Sequence, residues 1–189
     1  MRIISGKYKS RRFEIPKSFK ARPTTDFAKE NLFNIIVNQF DLEGTNALDL
    51  FAGTGSISFE LLSRGCKKVV CVEKEAAHYA FIIKVKTELK NEDLITIKGD
   101  VFRFIESCKQ SFDFIFADPP YALKNLNRIP EMVFSNDLLK TGGVFVMEHP
   151  KEYDFSTLPY FSQKRVYGAV NFSFFRKLET ENEKLKTKS

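Results

Sequence analysis

From residue 26 to residue 147 short apolar runs of strand character keep returning, separated by stretches whose apolar residues are spaced for helices. The runs Ala47-Leu48-Asp49-Leu50-Phe51, Val69-Val70-Cys71-Val72, Leu94-Ile95-Thr96-Ile97, Phe112-Asp113-Phe114-Ile115-Phe116-Ala117 and Val144-Phe145-Val146-Met147 read as strands. Leu32, Phe33, Ile36, Val37 and Phe40 mark a first helix, capped by Asp26 and ended by Gly44. Further helices are expected through Leu62, over about 75–90, and across Val101, Phe104, Ile105 and Cys108. Strands joined by helices require a parallel sheet with right-handed crossovers. Near the end, 163–167 and 170–176 flank Gly168 and read as an antiparallel hairpin. The 189 residues, 43% hydrophobic, suffice for one domain with a sizeable core, with neither repeat nor linker.

The first strand runs into Asp49-Leu50-Phe51-Ala52-Gly53-Thr54-Gly55-Ser56. A strand, a glycine turn and a helix start make the nucleotide-binding corner of a doubly wound fold, where glycine lets a ligand approach the backbone. Position 58 is Ser, so the third glycine of the dinucleotide fingerprint is missing. Asp49, four residues before Gly53, would repel a pyrophosphate but attract the α-ammonium of S-adenosylmethionine (SAM). Glu73 closes the second strand, placed for ribose hydroxyls, and Asp100 follows the third, within reach of an adenine amino group. The bland reading of any one acid is a solvated strand end; three on successive strands argue against it. The stretch Phe51, Ala52, Gly53, Thr54 and Gly55, with Lys74 and Val101, completes the expected cofactor contacts.

The fourth strand ends in Asp118-Pro119-Pro120-Tyr121. The prolines fix φ and remove two backbone donors, so the turn offers carbonyls as acceptors. A carboxylate and a carbonyl facing one point suit the exocyclic amine of a nucleobase, and Tyr121 is placed to stack on that base. Such a site fits group transfer to the amino nitrogen of adenine, cytosine or guanine.

Charge adds a polyanionic partner. Residues 1–30 hold nine basic side chains (Arg2, Lys7, Lys9, Arg11, Arg12, Lys17, Lys20, Arg22, Lys29) against three acidic ones, the whole of the net charge of +6. Ile3, Ile4, Tyr8, Phe13 and Ile15 are interleaved, as in a short hairpin with a basic face. Cys66, Cys71 and Cys108 lack metal-ligand spacing and read as reduced thiols of a cytosolic protein; His78 and His149 are too isolated for a metal site. No run approaches the ~20 apolar residues of a membrane span, and the first residues lack the apolar stretch of a signal peptide. Residues 178–189 are charged and expected to fray.

The glycine turn and Asp-Pro-Pro-Tyr together resemble the class I SAM-dependent amino-methyltransferases. Arg2-Ile3-Ile4-Ser5-Gly6, Arg11-Arg12, Arg22-Pro23-Thr24-Thr25-Asp26 and Glu30-Asn31-Leu32-Phe33-Asn34 narrow the likeness to the RsmD family of bacterial 16S rRNA guanine-N2 methyltransferases. The likeness runs to about residue 177. It implies an α/β, Rossmann-like fold with a mostly parallel seven-stranded sheet, an antiparallel last strand and an N-terminal β-hairpin extension. The organisation expected is a basic extension over 1–25, a methyltransferase domain over 26–177 and a tail over 178–189. Asp118, Pro119, Pro120 and Tyr121 would be catalytic, and Arg2, Lys7, Arg11, Arg12 and Arg22 would bind RNA. Phe27-Ala28-Lys29 stands where the family commonly has Arg-Val-Arg, so a basic contact or two is expected to be weaker. The implied substrate is 16S rRNA within a small-subunit assembly intermediate, met by a cytoplasmic monomer that touches no membrane. A DNA adenine-N6 methyltransferase, which shares Asp-Pro-Pro-Tyr, is the alternative; such enzymes usually carry a target-recognition domain for which this length leaves little room.

Overall fold

The computed structural model describes residues 1–19 and 26–178. Helix α1 covers Asp26–Gln39, then β1 Asn46–Leu50, α2 Ser56–Ser63, β2 Lys68–Glu73, α3 Ala76–Leu89, β3 Leu94–Lys98, α4 Val101–Ser107 and β4 Phe112–Ala117. They are followed by α5 Arg128–Ser135, β5 Leu139–His149, β6 Phe161–Tyr167 and β7 Val170–Arg176. The strands form one seven-stranded sheet in the order β3-β2-β1-β4-β5-β7-β6. β1 to β5 run parallel, and β7 lies antiparallel between β5 and β6. The mostly parallel sheet and its reversed final strand are as the sequence predicts.

Both faces of the sheet are covered, which is why the central strands carry apolar residues at consecutive positions rather than only at alternate ones. Ala47, Cys71, Phe116 and Val146 pack with Leu32, Phe33 and Ile36 of α1, Phe59 of α2 and Phe81 of α3. Leu48, Val72, Ile115 and Phe145 pack with Val101 and Ile105 of α4 and Ile129, Met132 and Val133 of α5.

Three elements depart from expectation. α5 is not signalled by the sequence, because Pro130 interrupts a short pattern; Pro130 falls in the helix's first turn, where a missing N–H costs no bond. β5 starts at Leu139, five residues earlier than its apolar run, with Gly142-Gly143 disguising its first half. In α1 the expected core residue Val37 is 47% exposed, since it sits one step off the stripe formed by Leu32, Phe33 and Ile36. Asp26 is the first residue of α1, and its carboxylate pairs with Arg2 at 3.0 Å.

The N-terminal segment folds back on itself. Ile3 donates its amide to Arg11 at 3.0 Å, Ser10 to Ile3 at 2.9 Å and Phe13 to Met1 at 2.9 Å, around an antiparallel bridge between Arg2 and Arg12. Ile3 and Phe13 insert into the core from it. Its turn presses on the end of α2, where Lys7 donates its amide to the Ser63 carbonyl at 2.7 Å and Gly6 lies so close that a Cβ would overlap that carbonyl. Glycine is required there for space as well as for its φ of +79°.

Candidate active site

The C-terminal ends of β2, β1, β4 and β5 each deliver a carboxylate to one face of the sheet. Residues 47, 71, 116 and 146 point to the face covered by α1, α2 and α3, so two positions on, Asp49, Glu73, Asp118 and Glu148 share it. The register pairs Ala117 with Met147, which sets Asp118 and Glu148 side by side where the two strands end. Asp49 lies one strand over, pairing with Cys71 and Phe116.

Asp49 is 1% exposed, and its Oδ2 accepts the Ser58 amide at 3.1 Å and the Ser58 hydroxyl. Here lies the reason for Ser in place of the third fingerprint glycine: Ser58 sits in the first turn of α2 and fixes the carboxylate that faces the glycine turn. Burial, opposed by those two bonds and aided by Glu73, pushes the Asp49 carboxyl up to about 7. Glu73 accepts the Gly53 amide on Oε2 and the Glu75 amide on Oε1, both at 2.7 Å. It therefore ties β2 to the turn after β1 and keeps further acceptor capacity on both oxygens. Gly53 has φ +55°, and the space where its side chain would point is open, as a ligand approaching the backbone requires. Phe51, at φ +64°, bends the chain out of β1 into this turn. Asp100 caps α4 by accepting from Phe102 and Arg103, and its other oxygen lies 3.4 Å from Lys74. This pair is more exposed than Asp49 and Glu73.

Asp118 follows β4, its amide bonded to the Leu50 carbonyl at 3.3 Å. Burial, then the charges of Glu148 and Asp49, raise its carboxyl well above the usual carboxylate range. The Pro120 carbonyl closes a turn by accepting from Leu123, whereas the Pro119 carbonyl accepts from nothing among the described residues. Tyr121 donates its hydroxyl to Glu148 Oε1 at 3.1 Å and is 48% exposed, so the ring is tethered at its tip and open to solvent. Burial pushes the Glu148 carboxyl up to about 7 against the Tyr121 hydrogen bond.

The structure thus brings Asp49, Gly53, Glu73 and Asp118 to one end of the sheet and adds Glu148, which sequence reasoning missed. The available signal was positional: Glu148 is the first polar residue after the apolar run of β5, as Asp118 is after that of β4. The basic residues lie apart, on the N-terminal segment. Lys7, Arg11 and Arg12 are exposed, with Lys7 5.3 Å from the Tyr8 ring centre and Arg11 5.8 Å from that of Phe13. Arg2 is half-buried against Asp26, and Arg22 lies outside the described residues. Lys29, counted with the basic face from sequence, is 0% exposed; its ammonium donates to the Arg2 carbonyl and to Ser56 and pairs with Glu60 at 3.4 Å. It belongs to the interior because Glu60, itself wholly buried, gives it an anion there.

The family model described as conserved hypothetical protein 95 matches residues 1–176. YlbH of Bacillus subtilis is 32% identical over 94% of this chain and 99% of its own. Ribosomal RNA small subunit methyltransferase D of Buchnera aphidicola is 30% identical over 78% of this chain and 75% of its own. The solved structure of yhhF from Escherichia coli superposes with a TM-score of 0.84 at 24% identity, over 95% of this chain and 99% of that one. An RNA methyltransferase from Salinibacter ruber, in complex with S-adenosyl-L-homocysteine, shares the fold at a TM-score of 0.65 and 13% identity over 84% and 95% of the two chains.

Proposed function

Because the chain belongs to the conserved hypothetical protein 95 family, the RsmD family of methyltransferases, we propose that it methylates small-subunit ribosomal RNA, with SAM as donor and the N2 amine of a guanine as acceptor. The observation that carries the reading is the gathering of Asp49, Glu73, Asp118 and Glu148 at the strand ends beside the glycine turn. Burial and then the neighbouring carboxylate charges raise the Asp49 and Asp118 carboxyls, and a cation relieves them. SAM carries two positive centres, a sulfonium and an ammonium, so the donor set fits it; a pyrophosphate would be repelled.

When bound, SAM supplies an electrophilic methyl group. The protein's work is then orientation. Asp49 would hold the ammonium and Glu73 the ribose hydroxyls, with Asp100 and Lys74 at the outer rim. Asp118 and the Pro119 carbonyl would accept the two N–H groups of the target amine and draw its lone pair out of the ring. Positive charge developing on that nitrogen would fall against Asp118, which would stabilise it, and the methylated amine would then lose a proton to Asp118 or to water. Tyr121 would stack on the flipped-out base; stacking returns roughly 1–3 kcal/mol of the few that flipping costs. Lys7, Arg11 and Arg12 would grip phosphates, with the substrate an assembling small subunit in the cytoplasm and the enzyme a monomer.

Mass-spectrometric mapping of modified nucleosides in rRNA from a deletion strain, with restoration by the purified protein and labelled SAM, tests this reading. One N2-methylguanine should vanish from 16S rRNA and return. Label entering DNA adenine instead would overturn it.

A further inference from the structure

Glu148 has a feature that tethering Tyr121 does not explain. The residue is 7% exposed, its Oε1 accepts from Tyr121, and its Oε2 is buried with no hydrogen-bond partner among the described residues. A buried acceptor without a donor is costly, and the expense is found where a ligand supplies the donor. Glu148 stands beside Asp118, at the end of the neighbouring strand on the same face. The two carboxyls are close enough for the charge of Glu148 to raise the pKa of Asp118.

Base chemistry says which donor fits. An amine held by Asp118 is flanked, on the pairing edge, by a ring nitrogen. In adenine and cytosine that nitrogen is an acceptor and would face the carboxylate of Glu148 with repulsion. In guanine it is N1–H, a donor. We propose that Glu148 is the specificity-determining residue of this site, accepting the N1–H of guanine while Asp118 and Pro119 hold its amine. The proposal rests on the reading that the site methylates an exocyclic amine, and it adds how guanine would be chosen among the amino bases. Tyr121 then has two duties: its ring covers the base and its hydroxyl sets the angle of the carboxylate that reads it.

The test compares small subunits reconstituted with guanine or with 2-aminopurine at the mapped position, at pH 8. 2-Aminopurine keeps the amine but presents N1 as an acceptor. Wild type should lose roughly 10–100-fold in kcat/KM on 2-aminopurine, the worth of one charge-assisted hydrogen bond. Glu148→Gln offers both an acceptor and a donor; it should lose a similar factor on guanine and bring the two bases within about threefold. Tyr121→Phe should slow both bases and keep the discrimination. Equal wild-type rates on the two bases, a measurement independent of any variant's folding, would overturn the proposal. So would undiminished discrimination in Glu148→Gln, or loss of discrimination in Tyr121→Phe equal to that in Glu148→Gln, which would mark Glu148 as a tether only. If wild type leaves guanine itself unmethylated, the proposed function fails first and the inference with it.

Discussion

Lys29 and Glu60 meet at 3.4 Å with neither side chain open to water. Glu60 also accepts the amides of Ile4 at 2.8 Å and Ser5 at 3.0 Å and the guanidinium of Arg64 at 2.8 Å, while Lys29 donates to the Arg2 carbonyl. One buried ion pair therefore binds the N-terminal segment to α1 and to α2, the helix that follows the glycine turn. The segment bearing the exposed arginines is thus fixed in place against α1 and α2.

Lys29→Met should destabilise the protein by about 3 kcal/mol, the lower end of the range for breaking a buried pair, because Arg64 and the two amides still partner Glu60. At this chain length that is a fall in Tm of about 6–12 °C. Hydrogen exchange at the amides of Ile4 and Ser5 should quicken more than at the amides of β1 or β4. Uniform quickening would mean that the pair supports the whole fold rather than the segment.

Asp49 makes cofactor binding depend on pH. Its carboxyl titrates near 7 in the folded chain against 3.8 for the free side chain, so between those values the native state holds a proton that the unfolded state has lost. Stability from this group is full below pH 3.8 and is lost as pH rises through 7. A cation at Asp49 favours the ionised form, so SAM should bind more tightly at pH 8 than at pH 6 and displace protons on binding. Calorimetry in buffers of differing ionisation enthalpy reads both. Asp49→Asn should flatten the pH dependence and weaken SAM roughly 10–100-fold; a wild-type affinity constant from pH 6 to 8 would contradict the role given to Asp49.

Asp118→Asn should leave SAM affinity near wild type and lower the single-turnover rate by about 10²–10³, the usual scale for removing one group that stabilises developing charge. The same change removes a carboxylate crowded by Glu148 and Asp49, so the free protein should melt at a higher temperature than wild type. Slower transfer with greater stability is the signature of strain held for function. A wild-type rate in Asp118→Asn would rule the mechanism out. Tyr121→Ala should also slow transfer, and Tyr121→Phe less so.

The parallel sheet and the glycine turn were legible because their signals are local: continuous apolar runs, Gly53 and Gly55, and acids at successive strand ends. Asp118 to Tyr121 was legible for the same reason. What was not legible depends on which residues meet through space. Glu148 acquires its place from the β4–β5 register, and Lys29 becomes an interior residue only because Glu60 comes to it from another helix. Asp100 read as an equal third acid from its position after β3; in the fold it spends one oxygen capping α4 and turns the other to Lys74.

Arg11 and Arg12 remain the best candidates for anchoring RNA. Both are exposed, they adjoin the Arg2–Arg12 bridge, and Ile3 and Phe13 root their segment in the core. Arginine suits phosphate because its planar fork donates two parallel hydrogen bonds. Arg2 is a weaker candidate, since Asp26 holds it at 3.0 Å and phosphate would have to compete. The double replacement Arg11→Ala and Arg12→Ala should weaken binding to the ribosomal substrate while SAM affinity and Tm stay near wild type. Each lost phosphate contact should lower the magnitude of the slope of log K against log salt by roughly 0.7–0.9. A slope reduced by about one contact rather than two would assign the grip to one arginine, which the single variants would identify. An unchanged slope would place the RNA anchor elsewhere on the surface, with half-buried Lys164 and exposed Arg165 of β6 the next basic residues to replace.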